Sequence, residues 1–179
     1  MVSRICLLLP VFCLILAITG SMSYVSPAYA AANVVLLDNH SGYLASDGKY
    51  HVAGEVQNQG TTAAAKAWVY VRFLDSSGNQ INSLITSSLM STMLPGRKSP
   101  FSLWEGSSNV HSYEIYNLTS SEASGQTLGL EITSHSWTKA SGTITVTGTI
   151  KNIGEFKARA LHVVCTFYDS IGHVVGAEN

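Results

Sequence analysis

Six histidines stand at positions 40, 51, 111, 135, 162 and 173, and no two have the close spacing of a metal-ligand pair. His-Glu-x-x-His, which would put two zinc ligands and a general base on one helical face, is absent. Gly-x-Ser-x-Gly, the turn that presents a nucleophilic serine, is absent as well. A blue-copper centre needs Cys, His and usually Met gathered near the end of the chain. Here Cys165 is followed by His173 across seven residues, and no Met comes after it. A hydrolase with an unfamiliar site would need at least two titratable groups in one cleft. The loop residues Asp38, His40, Asp47, His111 and Glu114 are the candidates, and only folding could bring them together. The sequence therefore reads as non-enzymatic, with no catalytic residue, no metal site and no cofactor.

Two other kinds of chemistry are written on the chain. Trp68, Tyr70, Arg72 and Leu74 alternate with Val69, Val71 and Phe73, so a strand would put the first four on one face. Trp, Tyr and Arg are the residues that dominate binding hot spots. The competing reading is that a second sheet layer, an inter-domain contact or the loop from Gly106 to Val110 covers them. Asn39-His40-Ser41 and Asn117-Leu118-Thr119 are acceptor motifs for N-glycosylation, both in loop-like sequence.

The elements that would position these residues occur twice. Residues Tyr50 to Gly78 align without a gap on Ile144 to Gly172 at an offset of 94. Identities fall at Val52/Val146, Gly54/Gly148, Asn58/Asn152, Gly60/Gly154, Ala64/Ala158, Val69/Val163, Phe73/Phe167, Asp75/Asp169, Ser76/Ser170 and Gly78/Gly172. A domain-length repeat of this kind fixes the architecture before any single element does.

Each copy predicts two strands. Tyr50, Val52, Gly54 and Val56 share an inward face, as do Ile144, Val146, Gly148 and Ile150; strict period two with Val, Ile and Thr marks half-buried strands. The second strand turns Ala67, Val69, Val71 and Phe73 inward, matched by Leu161, Val163, Cys165 and Phe167. Asn58-Gln59-Gly60 and Asp75-Ser76-Ser77-Gly78 close the strands with turn chemistry. Gly54 and Gly148, on inward faces, mark a bulge or a bulky cross-strand neighbour. Further strands are expected at Val34–Leu37, Gln80–Ser88, Phe101–Trp104 and His111–Tyr116. Short strands, frequent turns and no helical stripe predict an all-β fold, a β-sandwich.

At these residues the chain resembles the FxLYD domain, an immunoglobulin-like module of prokaryotic extracytoplasmic proteins. The resemblance rests on Gly-x-Val/Ile-x-Asn-x-Gly (Gly54 to Gly60, Gly148 to Gly154) followed by a hydrophobic strand closing in Asp-x-x-Gly. Leu94-Pro95-Gly96 followed by Phe101 fits too. The namesake motif is degraded: Val71 to Asp75 and Cys165 to Asp169 keep only the Asp and the hydrophobic pattern. The resemblance implies an exported sandwich and no shared active site.

The leader agrees. Arg4, an apolar run from Ile5 to Ile18, and Ala28-Tyr29-Ala30 before Ala31 make the three parts of a secretory signal peptide over residues 1–30. The alternative is an uncleaved anchor, although the run is short of the roughly 20 residues that span a bilayer. Cleavage would remove Cys6 and Cys13 and leave Cys165 alone, read as a small buried hydrophobe in the place of Val71. It would also leave nine basic against 11 acidic residues, with no basic patch, which argues against nucleic acid.

The expected organisation is a signal peptide over 1–30, a sandwich over 31–122, a linker over 123–127 and an incomplete second unit over 128–179. Nothing in the second copy matches Leu84 to Tyr116, so its apolar face lacks a cover: either the sequence is a fragment, or something else completes the sheet. The function expected is that of an exported structural or protein-interaction module of a secreted or surface protein. Its partner would be a protein or a cell-envelope component, with membrane contact only if the leader stays. The alternative is an extracytoplasmic protein that binds a small ligand or metal on the sandwich loops.

Overall fold

The structure, a computed structural model, describes residues 31–124, 129–159 and 161–179. The leader and most of the linker lie outside the described residues. Among those described, the chain is all-β, and no helix is long and apolar enough to cross a membrane.

One strand, β3 (Tyr50–Asn58), centres the first unit. Along one edge it pairs with β1 (Val34–Leu36) and then β2 (Ser41–Leu44), laid end to end. Its other edge pairs with β8 (Lys98–Glu105) from Tyr50↔Glu105 to Gln57↔Lys98. The second sheet has β5 (Trp68–Leu74) between β6 (Gln80–Ser87) and β9 (Ser112–Thr119). A short pair, β4 (Ala64–Ala65) with β7 (Thr92–Met93), sits beside the crossover between sheets. The two inner faces meet in a β-sandwich-like core of Val52, Val56, Val69, Val71 and Phe73, all fully buried, with Met93 and Phe101. Every one of the first five falls on the face that period two assigns. Gly54 lies opposite Phe101, and a Cβ there would stand 2.6 Å from the ring's Cζ. The bulky-neighbour explanation of this glycine is the one the fold uses.

The second copy forms two hairpins, β10 (Leu130–Ala140) with β11 (Thr143–Asn152), and β12 (Cys165–Tyr168) with β13 (Val174–Glu178). Its turns repeat those of the first copy atom for atom. Asp75 Oδ1 accepts from Ser77 N and Asn79 N; Asp169 Oδ1 accepts from Ile171 N and His173 N. Gly78 and Gly172 both hold positive φ, 80° and 92°, as do Gly48 and Gly142 at 81° each. The crossover turn is repeated too. Asn58 Oδ1 accepts from Gly60 N at 2.9 Å while its Nδ2 donates to Thr62 O at 2.8 Å. Asn152 does the same with Gly154 N at 3.1 Å and Phe156 O at 2.8 Å.

Packing is where the copies part. In the first unit β5 and β6 cross over to cover the inner face of β3. Their counterparts β12 and β13 lie instead on the outer face of the first unit's β3, making a third layer. Val174 is fully buried there, Val174 N donates to Asn39 O, and the Tyr43 hydroxyl donates to Val175 O. The β10–β11 hairpin consequently keeps Ile132, Trp137, Ile144 and Val146 exposed.

Candidate functional site

The alternation of β5 sends Val69, Val71 and Phe73 into the core and Trp68, Tyr70, Arg72 and Leu74 outward. Their neighbours come from both flanking strands: Ile85 and Ser83 face Tyr70 and Arg72 from β6, and Asn117 and Glu114 face them from β9. A register shift between Tyr70 and Val71 gives β9 one extra residue there, Tyr116. Its ring packs edge-on to Tyr70, centroids 6.1 Å apart at 65°. The Arg72 guanidinium carbon lies 5.6 Å from the Tyr116 ring centroid, close enough for a cation–π contact. Arg72 also donates twice to Glu114 Oε2, at 2.8 Å from Nε and 2.7 Å from the terminal nitrogen. The Tyr116 hydroxyl lies 3.0 Å from Ser83 Oγ.

The resulting face is aromatic, and its side chains brace one another. Trp68 is 48% exposed, Tyr116 46% and Ile85 57%. An exposed ion pair such as Arg72–Glu114 contributes only about 0–1 kcal/mol to stability. Its effect is to hold the guanidinium plane against the ring. What the face can do chemically is bind: it offers large rigid apolar area and directed hydrogen-bonding groups, and no nucleophile paired with a base.

The loop candidates go to different partners. His40 Nδ1 lies 2.6 Å from the Tyr113 hydroxyl, Asp47 accepts from Lys49 N and meets His51 Nε2 at 3.2 Å, and Glu114 holds Arg72. Burial lowers the His40 pKa; Asp38 opposes that and His173 adds to it. Burial and then the neighbouring Tyr50 push Tyr113 up to about 12. Among the described residues no three His, Cys, Asp or Glu side chains are placed to share a metal ion. Cys165 is half-buried at the start of β12.

The sequence missed a buried polar cluster on the outer face of β3. Glu55 sits on the outward face of β3, where solvent was expected, yet it is 3% exposed because β12–β13 covers it. Its Oε1 accepts from the Tyr168 hydroxyl at 2.8 Å, its Oε2 accepts from Asn39 Nδ2 at 2.8 Å, and Lys98 Nζ lies 3.7 Å away. Burial, then the bond and charge of Glu55, push Tyr168 up to about 12. Asn39 thus spends the nitrogen a glycan would need, and its Oδ1 is buried without a partner. Asn117, expected in a loop, lies in β9 opposite Tyr70, because β9 stays paired with β5 as far as Thr119. Its residue is exposed on the aromatic face.

No protein-family model matches the chain, and no curated protein matches it. A solved structure of IrmA from Escherichia coli is similar at 10% identity, covering 65% of this chain and 85% of that one with a TM-score of 0.38. That likeness is too slight to carry fold or function.

Proposed function

We propose that the chain is an exported, non-enzymatic immunoglobulin-like module that docks a protein of the cell envelope through the outer face of β6–β5–β9. The observation that carries this reading is the uncovered platform of Trp68, Tyr70, Arg72 and Tyr116 on a sheet whose other face is a closed core. The opposite sheet covers Ala53 and Glu55 of its outer face with a hairpin and leaves Trp104 exposed beyond it; on this sheet Trp68 and Tyr116 stay exposed, and Tyr70, Arg72 and Tyr116 brace one another. Large exposed apolar patches on otherwise well-packed proteins are a hallmark of partner surfaces. The FxLYD resemblance, the leader over residues 1–30 and the near-neutral charge support export and argue against nucleic acid.

The test is a competition. The folded domain, added to cells that secrete the full chain, should block envelope association, and the Trp68→Ala and Arg72→Glu forms should not. Trp68 is exposed and Arg72 is half-buried at the surface, so both variants should melt within a few degrees of wild type. Equal blocking by all three forms would end the proposal. A thermal-shift response to a metal or sugar that survives both substitutions would favour ligand binding on the loops instead.

A further inference from the structure

The hairpin β12–β13 occupies one place in this structure and is built for another. The repeat makes it the counterpart of β5–β6, whose inward residues Val69, Val71 and Phe73 cover Val52 and Val56. The same positions in the second copy are Val163, Cys165 and Phe167 on one side, and Val146 and Ile150 on the other. Val146 and Val163 are exposed, and Trp137, directly across from Val146, is 66% exposed.

Among its described residues, the connecting chain holds no strand that closure would break. The two copies align without a gap, and β11 and β12 are joined by residues 153–164 where β3 and β5 are joined by residues 59–67, so the second connection is at least as long as the first. The turn that launches the crossover is already formed, with Asn152 holding Gly154 N and Phe156 O as Asn58 holds Gly60 N and Thr62 O. Residues 153–159 and 161–163 are irregular and exposed, so moving them breaks no sheet.

The seat now occupied is real but polar in part. Apolar burial at Val174 and Ala177 is joined by Tyr168 to Glu55, Val174 N to Asn39 O, and Ser102 Oγ to Ala177 O at 3.4 Å. Leaving it would return Glu55 and Asn39 to water, which costs little for groups that can be hydrated. Arriving at β11 would bury apolar surface that is now wet.

We propose that the C-terminal hairpin is a strap with two seats in one molecule: the outer face of β3, centred on Ala53 and Glu55, and the inner face of β10–β11. Transfer closes the second sandwich and simultaneously opens the outer face of the first. The two seats compete for one occupant, so weakening either seat shifts the hairpin toward the other.

A thiol placed under the strap reads its position in the full chain. In a background with Cys6→Ser, Cys13→Ser and Cys165→Ser, Ala53→Cys should be alkylated slowly, because residue 53 is buried beneath Phe167 and Ala177. Tyr168→Phe, which weakens only the contact to Glu55, should speed labelling several-fold. Val146→Asp, far from residue 53 and exposed in this structure, should slow labelling several-fold by closing off the second seat. An unchanged rate in Val146→Asp would mean the hairpin merely lifts off, and would overturn the proposal. If cysteine at 53 perturbs the seat, Ser102→Cys gives a near-isosteric probe against Ala177, with the same expectations.

Discussion

Val71 and Arg72 are adjacent in the chain and face opposite ways, one fully buried in the core and the other paired with Glu114 on the surface. Val71→Asp should unfold the first unit, since burying an unpaired carboxylate costs several kcal/mol, comparable to the stability of a small domain. Arg72→Asp should leave the melting temperature within a few degrees of wild type. Thermal melts followed by circular dichroism compare the two directly, and similar losses would mean the strand faces are assigned wrongly. His40 makes a pH prediction. Its folded pKa lies below its ordinary 6.5, so the unfolded chain binds the extra proton first. Its contribution is therefore present above about pH 6.5 and is lost as pH falls through that value toward the folded pKa. Denaturant midpoints measured from about pH 7.5 down to about pH 5 should fall, and His40→Gln should flatten that slope. Burial sets the shift, Asp38 opposes it and His173 adds to it, with the Tyr113 hydroxyl facing the ring. The buried valines were legible because period two states their face outright. Glu55 was not, since the layer that hides it arrives from residues more than 100 positions further along and follows no local pattern.

Strands and turns show the same division. The Asp-x-x-Gly turns and the Asn-x-Gly crossover could be read directly, because each is a short-range exchange between one side chain and its own backbone. The strands β2, β4 and β7 could not: they have two to four residues, and their pairing rests on partners already fixed elsewhere. Asn58 and Asn152 measure what context adds to an identical turn. Asn58 is fully buried and also accepts from Asn33 N and donates to Met93 O, whereas Asn152 is exposed. Asn58→Ala should cost about 1–3 kcal/mol by leaving buried backbone groups unpaired. Asn152→Ala should cost a few tenths at most. Urea titrations of the two variants test this, and equal costs would show that the turn itself, not its burial, carries the energy.

At the scale of the molecule, the repeat predicted two units but not where the second one leans. Local sequence sets turns and faces; which face covers which depends on competition between surfaces, and here the outer face of β3 holds a hairpin that the repeat pairs with β11. A chain of residues 31–126 contains both sheets of the first core and should melt cooperatively. It should be less stable than the full protein, because Ala53 and Glu55 lose their cover. Its outer β6–β5–β9 face is untouched by that truncation and should keep its binding. The most direct measurement is therefore site-specific photo-crosslinking in cells that export the full chain, with the reactive side chain placed at Ile85, at Tyr116 or at Ile132. Docking through the aromatic face predicts one shared envelope-protein adduct from Ile85 and Tyr116, absent from Ile132 and abolished by Trp68→Ala. Adducts that form equally from all three positions, or that survive Trp68→Ala, would contradict it.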